Sequence, residues 1–164
     1  LDFKGRYGER IIYEALEKLD DQFVIFHSIG WKSEQRGFEQ GESDFLIYHP
    51  TRGLLVIEAK GGIIRSEMGV WYQKNQKTNQ EHKLKRSPIG QADSSRFRYR
   101  EHLIENDVDT YVCSAIWLTS MSKPPVKPQY SMDIREEQVY WIYDLETPLD
   151  AINKCFDSSS STNI

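Results

Sequence analysis

Three charged side chains, Asp44, Glu58 and Lys60, stand in two apolar segments that have the pattern of buried β-strands. Charged groups are rarely buried in proteins unless they are paired with one another or bound to a metal. Two carboxylates offer the oxygen ligands that Mg²⁺ prefers, and a nearby ammonium can stabilise the charge on an attacked phosphate. These residue types therefore indicate metal-assisted cleavage of phosphodiester bonds, with Mg²⁺ or Mn²⁺ as the cofactor.

The two segments, 43–48 and 54–60, are predicted to form a β-hairpin. The connection between them, His49-Pro50-Thr51-Arg52-Gly53, is short and rich in turn-forming residues. A three-residue loop at 50–52 would set the register of the two strands. The sequence thus predicts which side chains lie across from one another.

In that register Tyr48 pairs with Leu54, and Asp44 lies opposite Glu58 on the same face of the hairpin. Like charges at opposed positions repel each other, and a divalent cation between them would turn the repulsion into a binding site. Lys60 would lie beside the two carboxylates. The alternative is an ordinary surface ion pair between Glu58 and Lys60 on an edge strand.

Two further polar residues could support this chemistry. Glu9 falls within the apolar stripe of an amphipathic helix predicted over 6–19, where a carboxylate needs a partner. It either bonds to backbone or helps to surround the metal. Gln91 falls in the first turn of a second predicted helix, where its amide could hold a phosphate or the attacking water, or could simply be solvated.

A basic band between residues 74 and 100 indicates where a nucleic acid would lie. The whole chain has a net charge of −4, but this segment holds eight Lys and Arg against Glu81 and Asp93, so it carries +6. A local band on an acidic body is typical of phosphate contacts, although a charge run can also be a solvated face. The band predicts salt-sensitive, largely sequence-independent DNA binding. The residues predicted to contact DNA are Lys74, Lys77, Lys83, Lys85, Arg86 and Arg96.

Helices and strands must position these residues. The order of the predicted elements indicates an α/β fold with a mixed sheet between helices. Strands are predicted at 22–29, 43–48, 54–60, 110–119 and 138–143, and helices at 6–19, 87–105 and 147–156. The run 110–119 is apolar nearly throughout, as expected of a central strand covered on both faces. A second hairpin is predicted to turn at Gly69.

The segments between these elements are expected to be loops. A polar loop is predicted through Arg36 and Gly41, a mobile loop at 74–86 and a proline-rich loop at 121–130. Ser87-Pro88 supplies a cap and a first-turn proline for the second helix. The apolar positions predicted for that helix are Ile89, Ala92, Phe97, Leu103 and Ile104.

Length and composition are those of one domain. The chain has 164 residues, of which 38% are hydrophobic, with no apolar run long enough to span a bilayer. Its two cysteines have no metal-binding spacing, which favours idle thiols in a reducing cytoplasm. Residues 1–156 are predicted to form one domain, and the serine-rich segment 157–164 a linker or disordered tail.

Four blocks in order resemble a known family. Asp44 followed by Glu58-Ala59-Lys60 resembles the PD-(D/E)XK nuclease motif. The order of blocks resembles one branch of that superfamily, the nuclease-related domain, over roughly residues 5–119. The blocks are Gly8-Glu9, Gly41-Glu42-Ser43-Asp44, Val56-Ile57-Glu58-Ala59-Lys60-Gly61 and Ser87-Pro88-Ile89-Gly90-Gln91-Ala92.

The resemblance implies a three-layer α/β/α core like that of restriction endonucleases, and divalent-metal-dependent hydrolysis of DNA. It implies that Asp44, Glu58 and the Ala59 carbonyl are metal ligands, that Lys60 is catalytic, and that Glu9 and Gln91 support the site. Water would attack phosphorus in line. Domains of this family are often joined to helicase, kinase or other DNA-processing domains, which would suit a linker at the C-terminus.

The sequence departs from the family pattern at two positions. Ser43 stands where a proline is expected before the first aspartate, and Ser95 stands where one exonuclease branch has a tyrosine four residues after the glutamine. The second departure counts against that exonuclease branch. Whether cleavage is exo or endo, and whether the substrate is single-stranded, double-stranded, branched or RNA, stays open.

Two other functions are compatible with the same residues. The fold could serve as a DNA-structure-binding module with weak or absent cleavage inside a larger repair or helicase protein. It could also be a protein-interaction domain whose carboxylates are structural. No membrane partner is expected, and the oligomeric state is left open by the sequence.

Overall fold

A mixed five-stranded sheet forms the centre of the protein. The computed structural model describes residues 6–33, 39–123 and 134–158. The helices are α1 (Tyr7–Leu16), α2 (Pro88–Glu105) and α3 (Pro148–Ser158). The strands are β1 (Val24–Ser33), β2 (Glu39–His49), β3 (Gly53–Lys60), β4 (Ile63–Glu67), β5 (Val70–Lys74), β6 (Glu81–Lys83), β7 (Val112–Leu118) and β8 (Val139–Tyr140).

The strand order in the large sheet is β1-β2-β3-β7-β8. The first three strands are antiparallel neighbours, whereas β3 with β7 and β7 with β8 are parallel. Every residue of β7 is buried, because helices cover both faces of the sheet at this strand. The predicted mixed sheet, with its doubly covered inner strand, is confirmed.

The helices divide into two layers around this sheet. On one face α1 and α3 enclose a core with Phe45, Ile57 and Trp117 at its centre. On the other face α2 packs through Ile89, Ala92 and its C-terminal half onto β2, β3, β7 and β8. The order of layers is therefore α/β/α, as predicted. Among the described residues, no helix is both long enough and apolar enough to cross a bilayer.

The β2–β3 hairpin has the predicted register. His49 pairs with Gly53 and Tyr48 with Leu54, so Pro50 to Arg52 form the three-residue loop. Gly53 has φ of 118°, and a Cβ there would lie 2.3 Å from the carbonyl oxygen of Tyr111. Only glycine fits that conformation and that close approach.

The loop predicted through Arg36 and Gly41 is wrong at its second half, because β2 begins at Glu39 and pairs with an extended β1. Gly41 lies against Trp31, where a Cβ would come within 2.5 Å of the indole ring. Residues 34–38 lie outside the described part. These strand ends could not be predicted from the sequence, because their composition is polar and lacks apolar alternation.

The mobile loop predicted at 74–86 is also wrong, because Glu81–Lys83 forms β6. It pairs with β5 and completes a small antiparallel sheet in the order β4-β5-β6. The predicted hairpin at Gly69 is confirmed, with Met68 and Gly69 both at positive φ in its turn. Three charged or polar residues in β6 give no apolar signal, so backbone pairing alone identifies the strand.

Several element ends and burial predictions differ from the structure. The helix predicted over 6–19 ends at Leu16, and β8 covers only two residues of the strand predicted at 138–143. In α2, Phe97 and Ile104 are exposed rather than buried. Helix α3 includes Asp157 and Ser158, so the prediction of a linker or tail is wrong at these two residues. Most of the predicted proline-rich loop, 124–130, lies outside the described residues, as do 159–164.

Candidate active site

Asp44 lies at a break in the pairing of β1 and β2. Backbone pairs flank this point on both sides, but within the described part of the two strands Ser28 and Asp44 do not pair. Ser28 has φ of 53°, in the left-handed region that non-glycine residues seldom adopt. The break frees the backbone and side chain of Asp44 from the regular ladder.

Side chains change faces across this break. Before it, Ile25 and Phe45 pack into the core under α1 and α3. Beyond it, Ile29 packs on the α2 side, and the Trp31 Nε1–H donates to Ser95 of α2 at 3.0 Å. Asp44 stands at the point where the side chains change faces.

The Asp44 carboxylate reaches the backbone of β3. Its Oδ2 accepts a hydrogen bond from the Ala59 N–H at 2.8 Å. Regular β2–β3 pairs end at Phe45 and Ile57, so this side-chain bond replaces the next backbone bond. It fixes Asp44 beside the C-terminal end of β3, where Glu58 and Lys60 stand.

Glu58 and Lys60 extend from β3 toward the layer that contains α2. Their neighbours on β7 are Ile116 and Leu118, which belong to the core on that side. The Lys60 Nζ lies 3.4 Å from Glu58 Oε1, with the two side chains only 15% and 13% exposed. This is not the exposed pair of an edge strand, because β3 lies between β2 and β7.

Both carboxyl groups hold protons more tightly than usual. Burial raises the pKa of Asp44 to about 6; the charge of Glu9 acts in the same direction, and the bond from Ala59 opposes it. Burial also raises the pKa of Glu58 to about 8, with the charge of Asp44 adding to the effect and Lys60 opposing it. The site thus has excess negative charge in a poorly solvated place.

Glu9 joins this cluster from α1, where it is buried as predicted. Its Oε2 lies 2.7 Å from His27 Nε2 on β1, and its Oε1 is 3.3 Å from Arg6. The charge of Arg6 also lowers the pKa of Asp44. The sequence left open a backbone partner or a place around the metal; in the structure the side chains of His27 and Arg6 contact Glu9.

His27 and Arg6 are site residues that sequence reasoning missed. His27 lies in a strand whose alternation is unremarkable, and its ring packs against Phe45 with centroids 5.0 Å apart. The Ser28 Oγ lies 3.2 Å from the same Nε2. One signal was available, namely that a buried glutamate on the first helix requires a partner on the adjoining strand.

Gln91 lies in the first turn of α2, on the layer toward which Glu58 and Lys60 point. Ser87 caps this helix by accepting from the Gly90 N–H at 3.0 Å, as its position before Pro88 predicted. The Gln91 Oε1 is buried and has no hydrogen-bond partner among the described residues. Buried amide oxygens nearly always have a partner, and the described residues do not provide one for Gln91.

The predicted DNA-contacting residues fall into two groups. Arg96 is held by Asp93 at 3.2 Å and stacks on Phe97, while Arg86 donates to Ser94. The lysines at positions 74, 77, 83 and 85 form no ion pair with any residue that the structure describes. They lie on β5, β6 and the connections beside them. The lysines of the basic band thus lie on and beside the small sheet, and its arginines lie on or just before α2.

The donors at this site fit a hard divalent cation. Asp44 and Glu58 offer carboxylate oxygens, and burial raises the pKa of both although Lys60 lies beside them. Within the described residues, no group of three or more acidic, histidine or cysteine side chains is arranged to hold a metal. Mg²⁺ suits such a sparse set, since it keeps several waters and binds substrate phosphate.

The two departures from the family pattern have structural roles. Ser43 is buried and accepts a hydrogen bond from the Tyr99 hydroxyl of α2 at 3.2 Å. Ser95 is buried and accepts from Trp31. Both serines therefore tie α2 to the extended β1–β2 arm, which carries Asp44.

Gly8 and Gly62 allow close packing beside the site. A Cβ on Gly8 would lie 3.1 Å from Thr119 Oγ1, and one on Gly62 would lie 2.2 Å from the carbonyl oxygen of Lys74. The Gly62 N–H donates to Ser120 Oγ at 3.2 Å, so this amide is not free to bind phosphate. Gly62, which follows Gly61 at the end of β3, therefore serves close packing.

The comparison with protein families agrees with this geometry. Residues 4–119 match the model of the nuclease-related domain, a span that includes α1, the β2–β3 hairpin and α2. No curated protein and no solved structure gave a significant match. Because the match covers more than half of the chain, the chain belongs to the nuclease-related domain family.

Proposed function

We propose that this protein is a divalent-metal-dependent nuclease that hydrolyses DNA phosphodiester bonds. The observation that carries the proposal is the meeting of Asp44, Glu58 and Lys60 at the C-terminal end of β3, with Glu9 beside them. Two of these carboxyl groups have raised pKa values because they are buried and lie close to further acidic groups. A cation with its phosphate ligand would supply the missing partner.

Asp44, Glu58 and the Ala59 carbonyl are the groups that would hold Mg²⁺ or Mn²⁺. The N–H and C=O of one strand residue point to the same side, so the Ala59 carbonyl shares the side on which Asp44 bonds to its N–H. When bound, the cation would neutralise phosphate charge and lower the pKa of a coordinated water. Oxygen donors of this kind suit hard divalent cations.

Lys60 would act on the phosphate or on the attacking water. Its ammonium is largely buried and lies close enough to Glu58 to be oriented by it. A fixed cation at a water-poor site stabilises the charge that develops on a pentacovalent phosphorus. Glu9 is oriented by His27, and the amide oxygen of Gln91 has no partner among the described residues; both would hold water or substrate around these groups.

DNA is proposed as the substrate because lysines that form no ion pair with a described residue lie on and beside the small sheet that follows β3. They would contact phosphates without reading the bases, so binding would weaken steeply with salt. The lysines proposed for this role are Lys74, Lys77, Lys83 and Lys85. A DNA-processing protein, such as one with a helicase domain, would be a natural partner. A reducing cytoplasm would suit the two free buried cysteines.

The proposal is tested by incubating the protein with labelled linear and circular DNA in Mg²⁺, Mn²⁺ or EDTA. Glu58→Gln and Lys60→Met are compared with matched controls at exposed positions outside the site, Glu137→Gln and Lys154→Met. We expect metal-dependent products from wild type and both controls. The Lys60 variant should lose roughly 10²–10³-fold in rate, the size of effect seen when one stabilising donor is removed.

Cutting of circles would identify an endonuclease, and cutting restricted to linear DNA would identify an exonuclease. Metal-independent binding with no products, unchanged in the Glu58 and Lys60 variants, would contradict catalysis. It would favour a DNA-structure-binding module instead.

A further inference from the structure

A groove of about 480 Å³ lies directly beyond the C-terminal end of β3. Its lining includes Gly61, which follows Lys60 in the chain, and Thr119, which follows β7. It also includes Tyr7 at the start of α1 and residues of the turn between β5 and β6. The Thr119 N–H donates to the Lys60 carbonyl at 3.1 Å, so the groove and the proposed site share backbone.

The cations in this groove are available to a ligand. Lys74 and Lys77 both line it, and neither forms an ion pair with a described residue. Arg65, on the neighbouring strand β4, contrasts with them, because Glu67 and Glu81 hold its guanidinium at 2.9 and 2.6 Å. The small sheet thus neutralises its arginine and leaves two lysines facing the groove.

An exposed aromatic ring lines the same groove as these lysines. Tyr7 is 65% exposed and lines the groove at the first residue of α1. The Arg10 guanidinium lies 5.2 Å from the centre of the Tyr7 ring. An exposed ring in one groove with cations that form no ion pair with a described residue is the combination by which proteins bind unpaired bases and their phosphates together.

Lys77 lies in an ordered turn between β5 and β6. The Asn75 Oδ1 accepts from the Lys77 N–H at 2.8 Å, and the Asn75 N–H donates to Gln80 at 2.8 Å. Gln73, just before this turn, is hydrogen-bonded to another residue of the groove, since its Nε2 donates to the Gly61 carbonyl at 2.8 Å. The groove therefore exists before any ligand binds.

We infer that this groove binds a single strand of DNA and feeds it to the site at the end of β3, so that the substrate is single-stranded or has an unpaired end. The inference rests on the proposed nuclease function and specifies its substrate. Tyr7 would stack on a base, while Lys74 and Lys77 would contact the phosphates on either side. Bases of a duplex are already stacked on their neighbours, so a duplex could not use the ring.

The experiment measures binding of the full chain to a fluorescein-labelled 20-nucleotide oligothymidine and to a blunt duplex of equal length. Binding is measured in EDTA, so that it does not depend on cleavage. We expect the single strand to bind at least tenfold more tightly. Tyr7→Ala should weaken its binding about fivefold to tenfold, as loss of one stacked base does, and Tyr7→Phe should restore it.

Charge is tested through the salt dependence of the same binding. Lys77→Ala should make the plot of log Kd against log salt concentration shallower by about 0.7, the value for one phosphate contact on a single strand. Lys154→Ala removes the same charge from exposed α3 and should leave the slope unchanged. Tyr143→Ala, at an exposed aromatic outside the groove, should leave oligothymidine affinity unchanged.

Two results would overturn the inference. One is duplex binding as tight as single-strand binding with no effect of Tyr7→Ala; the other is no measurable binding of oligothymidine. Cleavage of both probes in Mg²⁺ is recorded separately. If either result were accompanied by metal-dependent cutting of the duplex, the nuclease proposal would stand. Only the inference that the groove binds a single strand would be contradicted.

Discussion

The Asp44 carboxylate and the Ala59 backbone are joined by a 2.8 Å hydrogen bond that closes the gap where β2 and β3 stop pairing. The bond places an acidic group beside Glu58 without a regular cross-strand pair. Asp44 thus has two roles, as a hydrogen-bond acceptor for Ala59 and as a negative charge in the site. A neutral acceptor could make the same bond without carrying the charge.

Asp44→Asn and Asp44→Ala distinguish these roles. Asparagine keeps an oxygen that can accept from Ala59, whereas alanine leaves a buried N–H without a partner, at a cost of about 1–3 kcal/mol. We expect both variants to lose metal-dependent cleavage, and the alanine variant to be the less stable by that amount. Urea denaturation in EDTA measures the difference, and equal stability would show that the bond contributes nothing.

Glu58→Gln should stabilise the metal-free protein at alkaline pH. The pKa of Glu58 is about 8 in the folded protein against 4.5 ordinarily, so the folded state binds more protons than the unfolded chain between these values. The contribution of this group to stability therefore falls as pH rises from about 4.5 to 8. Glutamine cannot ionise, so the Glu58→Gln variant should not lose this part of its stability as pH rises.

The measurement for this variant is the melting temperature in EDTA at pH 5 and pH 8.5. We expect a higher melting temperature than wild type at pH 8.5 and a smaller difference at pH 5, with each kcal/mol shifting it by about 2–4 °C. Glu137→Gln, which removes an exposed carboxylate, serves as the control. A difference that does not change with pH would contradict the raised pKa.

Binding of Mg²⁺ should release protons and strengthen as pH rises. Asp44 and Glu58 have pKa values of about 6 and about 8, so below pH 8 a cation must displace at least part of a proton. Calorimetric titration in two buffers of different ionisation enthalpy measures this release. We expect more protons released at pH 7 than at pH 9, and an apparent affinity that is weaker at pH 7. A binding heat independent of the buffer would contradict it.

His27→Ala should damage folding more than His27→Gln. The alanine variant leaves the buried Glu9 carboxylate without the partner at 2.7 Å, at a cost of about 1–3 kcal/mol or more for a charged group. Glutamine can donate to Glu9 and should recover part of this stability and part of the cleavage rate. Thermal melts and initial rates on one labelled DNA provide the comparison. Equal behaviour of both variants would exclude a positioning role.

Gln91→Met should lower cleavage without lowering stability. The Gln91 Oε1 is already buried without a partner among the described residues, so an apolar side chain of similar shape removes an unsatisfied group. We expect an unchanged or higher melting temperature together with a reduced rate. A clear drop in melting temperature would mean that the amide is structural, and an unchanged rate would mean that it does not face the substrate.

Local patterns predicted much of the site and its support. The apolar runs around Asp44 and Glu58, the turn between them, and Ser87-Pro88 before α2 each depend on neighbouring residues, so propensity and alternation suffice to find them. The register of the hairpin followed from loop length alone. The doubly covered strand β7 could likewise be predicted because its residues are apolar on both faces.

Long-range contacts explain what the sequence did not show. Polar β6 and the outer half of β1–β2 are strands because they pair with distant backbone and because Trp31 packs on Ser95 and Gly41, and none of this appears in local alternation. Phe97 has an apolar side chain, but the position of α2 on the sheet leaves it exposed. Burial of a residue depends on which neighbours cover it.

The sequence by itself determined the family, the alternating layers and the candidate residues Glu9, Asp44, Glu58, Lys60 and Gln91. Only the tertiary structure decided how the first four meet. The left-handed Ser28 interrupts the β1–β2 ladder, so that the Asp44 side chain bonds to β3 while His27 receives Glu9. The physical reason is that residue type sets which chemistry is possible, whereas strand pairing and burial set the distances and pKa values.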